Sequence, residues 1–291
     1  MAPRRAVNAG VPGAAETEPE TMLLKDKNAV IYGVGASLGG AVAKAFAAAG
    51  ARVFLVARRR QNAERVAREI QASGGKAEVD EVDALAQQAV NEHAARVVKN
   101  AGTLDISFNL INIQDKQDTP LVDMEVEDFV RPVRIAMLTQ FLTGTAAARI
   151  MAKQKSGVIL SLTATPGGIG YPGVGGFGPA CCAIEAFSRN LASELGPQGV
   201  RVVNLRSAGS PDSRPFREAL EQGGPRVKEF LEKIKADTML KKMPTMIDIA
   251  NAALFLASDL ANKITGITLD ITAGTTSALN YKVPSIAFVD K

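Results

Sequence analysis

"NAVIYGVGASLGGAVAKAFAAAG", residues 28–50, begins as a short apolar run, passes through a glycine-rich turn and continues as an alanine-rich stretch. The run is too short for a helix and suits a strand buried on both faces, while the alanine-rich part suits a helix packed closely on a sheet. Gly33, Gly35 and Gly39 let the backbone turn tightly and approach a diphosphate, whose charge is favoured by free N–H groups at a helix N-terminus. The same glycines also serve plain strand–helix packing, so the turn alone leaves two readings open.

The alternation continues along the chain. Apolar runs at 51–57, 104–110, 156–163, 200–205 and 266–271, with a weaker one at 76–82, are separated by helical periodicity at 38–49, 61–73, 86–100, 126–153, 178–195 and 247–258. Strands alternating with helices pair in parallel through crossovers, which puts helices on both faces of the sheet. The expected fold class is α/β, a doubly wound, Rossmann-type parallel sheet of about seven strands with ligands beyond the carboxyl ends of the strands. Residues 1–22 mix Pro, Gly, Ala and Glu without periodicity and are expected to be a disordered leader. Residues 23–291 are expected to form one dinucleotide-binding domain with a C-terminal tail, "NYKVPSIAFVDK" (280–291).

Composition narrows the function classes. The 291 residues are 46% hydrophobic and 22% charged, with a net charge of +4. The basic residues are scattered except for "RRR" at 58–60, so no nucleic-acid partner is expected. No apolar run of bilayer-spanning length and no signal-like start are read, so no membrane partner and a cytoplasmic location are expected. Cys181 and Cys182 are the only cysteines and adjacent, a poor geometry for a disulfide. No His/Cys/Asp cluster has metal-ligand spacing, so no metal is expected. The sole histidine, His93, is read on a surface or boundary helix.

After the second strand, where an NAD site places an acid on the ribose hydroxyls, stand Ala57 and then Arg58, Arg59 and Arg60. A guanidinium fork suits a 2′-phosphate, which points to NADP(H) as cofactor. From about Leu23 to the last strand the order of landmarks resembles the short-chain dehydrogenase/reductase family. Residues 32–39 are similar to its Thr-Gly-x-x-x-Gly-x-Gly, with Tyr32 for the threonine, Ser37 for the middle glycine and Leu38 before Gly39. Asp83 in "EVDALAQ" falls at the adenine-contacting aspartate. Asn109 in "DISFNLIN" matches the first asparagine of Asn-Asn-Ala-Gly. "RVVNLRSAGSPDS" resembles the segment near the nicotinamide, with Ala208 for proline and Gly209 kept. The resemblance implies a small-molecule substrate and a homodimer or homotetramer built on the helices 126–153 and 178–195.

The same alignment leaves the family's catalytic places without their usual residues. "GFGPACCAIEAFSRNLASELG" (176–196) puts Phe177 at the tyrosine and Cys181 at the lysine, while Ala164 falls at the serine and Ala136 at the helix asparagine. Sliding the register to Tyr171 puts Gly175 at the lysine, so the motif is not rescued. Hydride transfer to an iminium needs no proton at that moment, and conjugate reduction builds an enolate that hydroxyl donors stabilise. Candidate substitutes are Tyr171, Thr163 and Thr165, with Asn109 and Asn112 beside them. Tyr171 also reads as a pocket wall, and Thr163 as a satisfied strand-end hydroxyl. Three functions stay open: an NADP(H)-dependent oxidoreductase acting on an activated acceptor (imine, polarised alkene or carbonyl), a cofactor-binding protein without catalysis, and a non-redox elimination or retro-aldol reaction on the same scaffold.

Overall fold

The computed structural model describes residues 22–278, apart from several side chains within one helix. The expected leader lies almost wholly outside the described residues, and the C-terminal tail lies outside them altogether. Seven strands form one parallel sheet: β1 (Asn28–Tyr32), β2 (Arg52–Ala57), β3 (Lys76–Glu81), β4 (Ile106–Asn109), β5 (Gly157–Ala164), β6 (Val200–Ser207) and β7 (Thr268–Ile271). Their order is β3-β2-β1-β4-β5-β6-β7. The connecting helices are α1 (Leu38–Ala48), α2 (Gln61–Ala72), α3 (Gln87–Ala101), α4 (Val126–Gln154), α5 (Phe177–Leu195), α6 (Arg214–Asp237) and α7 (Met246–Ala257).

The strand sequences explain the layers. Because successive strand side chains point to opposite faces, Ala29 and Ile31 of β1 join one core with Val42 and Phe46 of α1, Val66 of α2 and Leu256 of α7. Val30 and Tyr32 join the other, with Val90 of α3, Met151 of α4 and Leu191 of α5. Both faces of the central strands are therefore apolar, as expected of a doubly covered parallel sheet. The edge strands depart from the expectation of double burial: β3 and β7 are only partly buried, because each has a neighbour on one side alone.

Three further expectations are corrected. His93 is fully buried, its Nε2 lying 3.3 Å from Asp80 Oδ2 and its ring edge-on to Tyr32. Among the described residues α4 is long and apolar enough to cross a membrane by length and composition, but most of that stretch is buried, as in a core helix. Residues 214–237, read as no element, form α6, which is broken at Gly224 (φ 59°).

The sheet order reverses at β1. The strand leaves β1 for β2 on one side and β4 enters on the other, with Tyr32 opposite both Val56 and Asn109 at the last paired position. The crevice just beyond these residues is where this topology holds a ligand.

Candidate functional site

The glycine turn lies in that crevice, and its two readings divide between different glycines. Gly33 has φ +81°, and a Cβ there would lie 2.5 Å from the Leu110 carbonyl oxygen, so glycine is required for the close approach of β1 and β4. A Cβ on Gly39 would lie 3.0 Å from Gly33 O, which makes Gly39 a packing residue between α1 and the turn. At Gly35 a Cβ would meet nothing within 4 Å. Gly35 is thus the open side of the turn, beside the start of α1. Leu38, the first residue of that helix, packs on the core. Ser37 is the N-cap but caps nothing: its hydroxyl accepts a hydrogen bond from Arg214 N at 3.3 Å and lies 3.4 Å from Met246 Sδ.

The three arginines at the end of β2 are all exposed, but they separate by partner. Arg60 is committed to Glu64 at 3.0 Å and to the Val79 carbonyl at 2.8 Å. Arg58 and Arg59 form no ion pair among the described residues. Asp83, exposed beyond β3, accepts a hydrogen bond from Leu85 N at 3.0 Å through Oδ1. Asn109 is buried and spent on structure, donating to Thr143 Oγ1 and accepting from Ile111 N. Asn112 closes a turn onto Gln114 N. Gly209 lies under the first turn of α6, where a Cβ would touch the Phe216 ring.

On the other side of the crevice, Ala136 of α4 is fully buried in an apolar cluster with Ile113, Ile135, Ala180 and Ile184, and Phe177 packs against that cluster. Cys181, one turn on, is buried, and a Cβ on Gly167 would stand 3.1 Å from its own. Burial pushes its thiol up to about 12 against a hydrogen bond from the Ala164 backbone, and nearby Glu185 adds to the rise. The thiol is neutral at physiological pH and unsuited to nucleophilic work. Ala164 ends β5 opposite Ser207.

The hydroxyl candidates also separate. Thr163 is buried within a chain of polar contacts, donating to Glu185 Oε1 at 2.9 Å and accepting from Asn204 Nδ2 at 2.7 Å. Asn204 in turn accepts from Ser161 Oγ, and Glu185 receives Arg206 through both oxygens at 3.0 and 2.6 Å. Arg206 continues to Asp270 on β7. This network satisfies its buried members and ties α5 to β5, β6 and β7. Thr165 is buried and donates to Ser207 O. Tyr171 alone borders open space. It lines an apolar groove of about 620 Å³ with Phe129, Leu121, Val174, Pro166 and the exposed Cys182. Its phenol is half-buried, and burial first, then the Asp237 carboxylate, raises its pKa above the ordinary value.

Sequence reading overlooked α6 and, with it, Arg214, whose backbone N–H donates to Ser37, and Asp237, whose carboxylate acts on Tyr171. The signal was present: Ser213, Arg214 and Pro215 form a helix start, with proline in the first turn. Among the described residues no cluster of metal-ligating side chains occurs.

A family model described as enoyl-(acyl carrier protein) reductase matches residues 33–276. An uncharacterized oxidoreductase of Mycobacterium tuberculosis is 31% identical over 265 residues, which cover 90% of this chain and 97% of the relative. Among solved structures, NAD+-bound xylitol dehydrogenase is similar with a TM-score of 0.80 at 23% identity, over 86% of this chain and 99% of its own. ElxO with NADP bound has a TM-score of 0.79 at 24% identity, again over 86% and 99%. These two likenesses are of fold, whereas the matched span and the mycobacterial relative carry kinship. The chain belongs to the short-chain dehydrogenase/reductase family of oxidoreductases.

Proposed function

We propose that the protein is an NADP(H)-dependent oxidoreductase that transfers hydride to an acceptor already electrophilic, such as an imine or a polarised alkene, without the family's Tyr/Lys pair. One observation carries this reading: Ala136 and Phe177, aligned with the asparagine and the tyrosine, belong to one packed apolar cluster, and Cys181, aligned with the lysine, is a neutral buried thiol. No proton leaves Phe177, and no fixed positive charge stands at Cys181.

The residues present fit a nicotinamide dinucleotide. The open face of Gly35 leaves room for a diphosphate beside the uncapped first turn of α1. Arg58 and Arg59, free of ion pairs among the described residues, suit a 2′-phosphate, and the exposed Asp83 suits the adenine side. When bound, the nucleotide supplies the hydride. The chain then has to orient the acceptor, for which the groove walled by Phe129, Leu121 and Val174 offers an apolar surface. Tyr171 is the hydroxyl at that groove, protonated at neutral pH like any phenol and able to donate a hydrogen bond, although burial and Asp237 raise its pKa and make it a weaker acid than a tyrosine paired with a lysine. Simple ketones, whose reduction builds an alkoxide, lose the general acid that a positioned tyrosine supplies, a factor of about 10²–10⁴.

The test is NADPH oxidation by the purified chain across a panel of imines, enones and ketones, alongside calorimetric binding of the nucleotide. Consumption with imines or enones is expected. Tight NADPH binding with no consumption by any acceptor would favour a binding protein without catalysis. Absence of nucleotide binding would favour a non-redox reaction on this scaffold.

A further inference from the structure

We infer that the Arg214 side chain is a cationic contact for the nucleotide's diphosphate, separate from the contact that Arg58 and Arg59 make with the 2′-phosphate. The inference rests on the nucleotide reading above and names a residue which that reading leaves unused.

A serine at an N-cap ordinarily turns its oxygen onto the N–H groups of the first helical turn. Ser37 does not. Its hydroxyl is engaged by Arg214 N at 3.3 Å and lies against Met246 Sδ, so the first turn of α1 carries no side-chain cap. Gly40 N and Ala41 N already donate to Ser37 O, so the N–H groups of Leu38 and Gly39 are the ones left for an outside acceptor next to the open face of Gly35. The hydrogen bond from Arg214 N holds the Arg214 backbone against Ser37, at the start of α1 and two residues from Gly35. The loop leading to Arg214 is pinned as well, because both Asp212 oxygens accept from Met246 N, at 3.1 and 3.2 Å.

The Arg214 guanidinium is available. Its side chain is 67% exposed, and its one ion contact among the described residues is a loose one to Glu218 at 3.6 Å. An exposed pair of that kind is weak and readily exchanged for a doubly charged diphosphate. Arg58 and Arg59 stand beyond β2 at the adenine end, whereas Arg214 stands at the turn itself. The two ends therefore make separable contributions: one reads the 2′-phosphate, the other the diphosphate common to NADP and NAD.

The experiment is calorimetric titration of the full chain and its variants with NADPH, NADH, ADP-ribose and 2′-AMP. Arg214→Ala is expected to weaken NADPH, NADH and ADP-ribose alike, by about 10-fold, and to leave 2′-AMP, which has no diphosphate, unchanged. Arg214→Lys is expected to retain most of the affinity. Arg58→Asp should show the crossed pattern, losing NADPH and 2′-AMP but not NADH. An Arg214→Ala variant that binds ADP-ribose as the wild type does would overturn the inference, as would equal weakening of 2′-AMP, which would mean general damage to the site. Failure of the wild type to bind any of the four ligands would instead overturn the nucleotide reading on which the inference stands.

Discussion

Thr163 Oγ1 donates to Glu185 Oε1 at 2.9 Å inside the protein, which commits the hydroxyl nearest the end of β5 to the fold and not to a substrate. With Thr165 likewise turned onto Ser207 O, the remaining hydroxyl candidate at the groove is Tyr171.

Two substitutions separate these roles. Tyr171→Phe is expected to lower kcat with an enone by about 10²-fold while NADPH affinity stays constant. Thr163→Val is expected to destabilise the protein by about 1–3 kcal/mol, because Asn204 and Glu185 lose a buried partner, with little change in kcat. Steady-state kinetics and denaturant unfolding of the two variants decide the matter. A Tyr171→Phe enzyme that changes KM alone would reduce the phenol to a wall of the groove.

The proposed preference for NADP(H) rests on the end of β2. NADPH is expected to bind more tightly than NADH, and Arg58→Asp to abolish the difference, since a carboxylate there repels a 2′-phosphate. Calorimetry on the variant and the wild type measures both, and equal affinities in the wild type would contradict the assignment of NADP(H).

The two adjacent cysteines differ in reactivity. Cys182 is exposed on the groove, whereas Cys181 is buried with its thiol pushed up to about 12. Iodoacetamide at neutral pH is expected to label the native protein once, at Cys182, and the unfolded protein twice. Peptide mass spectrometry identifies the site. Rapid labelling of Cys181 in the native state would show that the lysine-aligned place is open.

Acid stability draws on Asp80. The His93 hydrogen bond, the largest influence, holds its carboxyl below the usual range against the opposing effect of burial, and Arg96 adds to the lowering. A carboxylate with a depressed folded-state pKa contributes stability that is complete above its unfolded pKa and is lost as the pH falls through the folded one. Asp80→Asn is therefore expected to flatten the decline in stability below about pH 4, as followed by urea unfolding at a series of pH values. An unchanged acid limb would dismiss the Asp80–His93 contact as a contributor.

What the sequence made legible follows from periodicity. The central strands read clearly because both faces are apolar, and the glycine turn read clearly because Gly33 and Gly39 face steric limits that few other residues meet. α6 stayed hidden: its charged residues mask the apolar spacing, and Gly224 interrupts the helix midway. The buried position of His93 on α3 was hidden because its partner, Asp80, arrives from β3. The apolar cluster around Ala136 and Phe177 gathers residues from the segment after β4, from α4 and from α5, so each looks ordinary in its own stretch. Arg206 was equally invisible, a charge within an apolar strand whose partners lie on α5 and β7.

The most direct test of the central claim compares kcat/KM for a preformed cyclic iminium with that for the ketone of matching shape, both with NADPH at neutral pH. Ala136, Phe177 and Cys181 offer the ketone no proton and no fixed charge, so the iminium is expected to turn over at least about 10²-fold faster. Its rate should show no tyrosine-like ionisation near neutrality. Reduction of the unactivated ketone at a comparable rate would contradict the account.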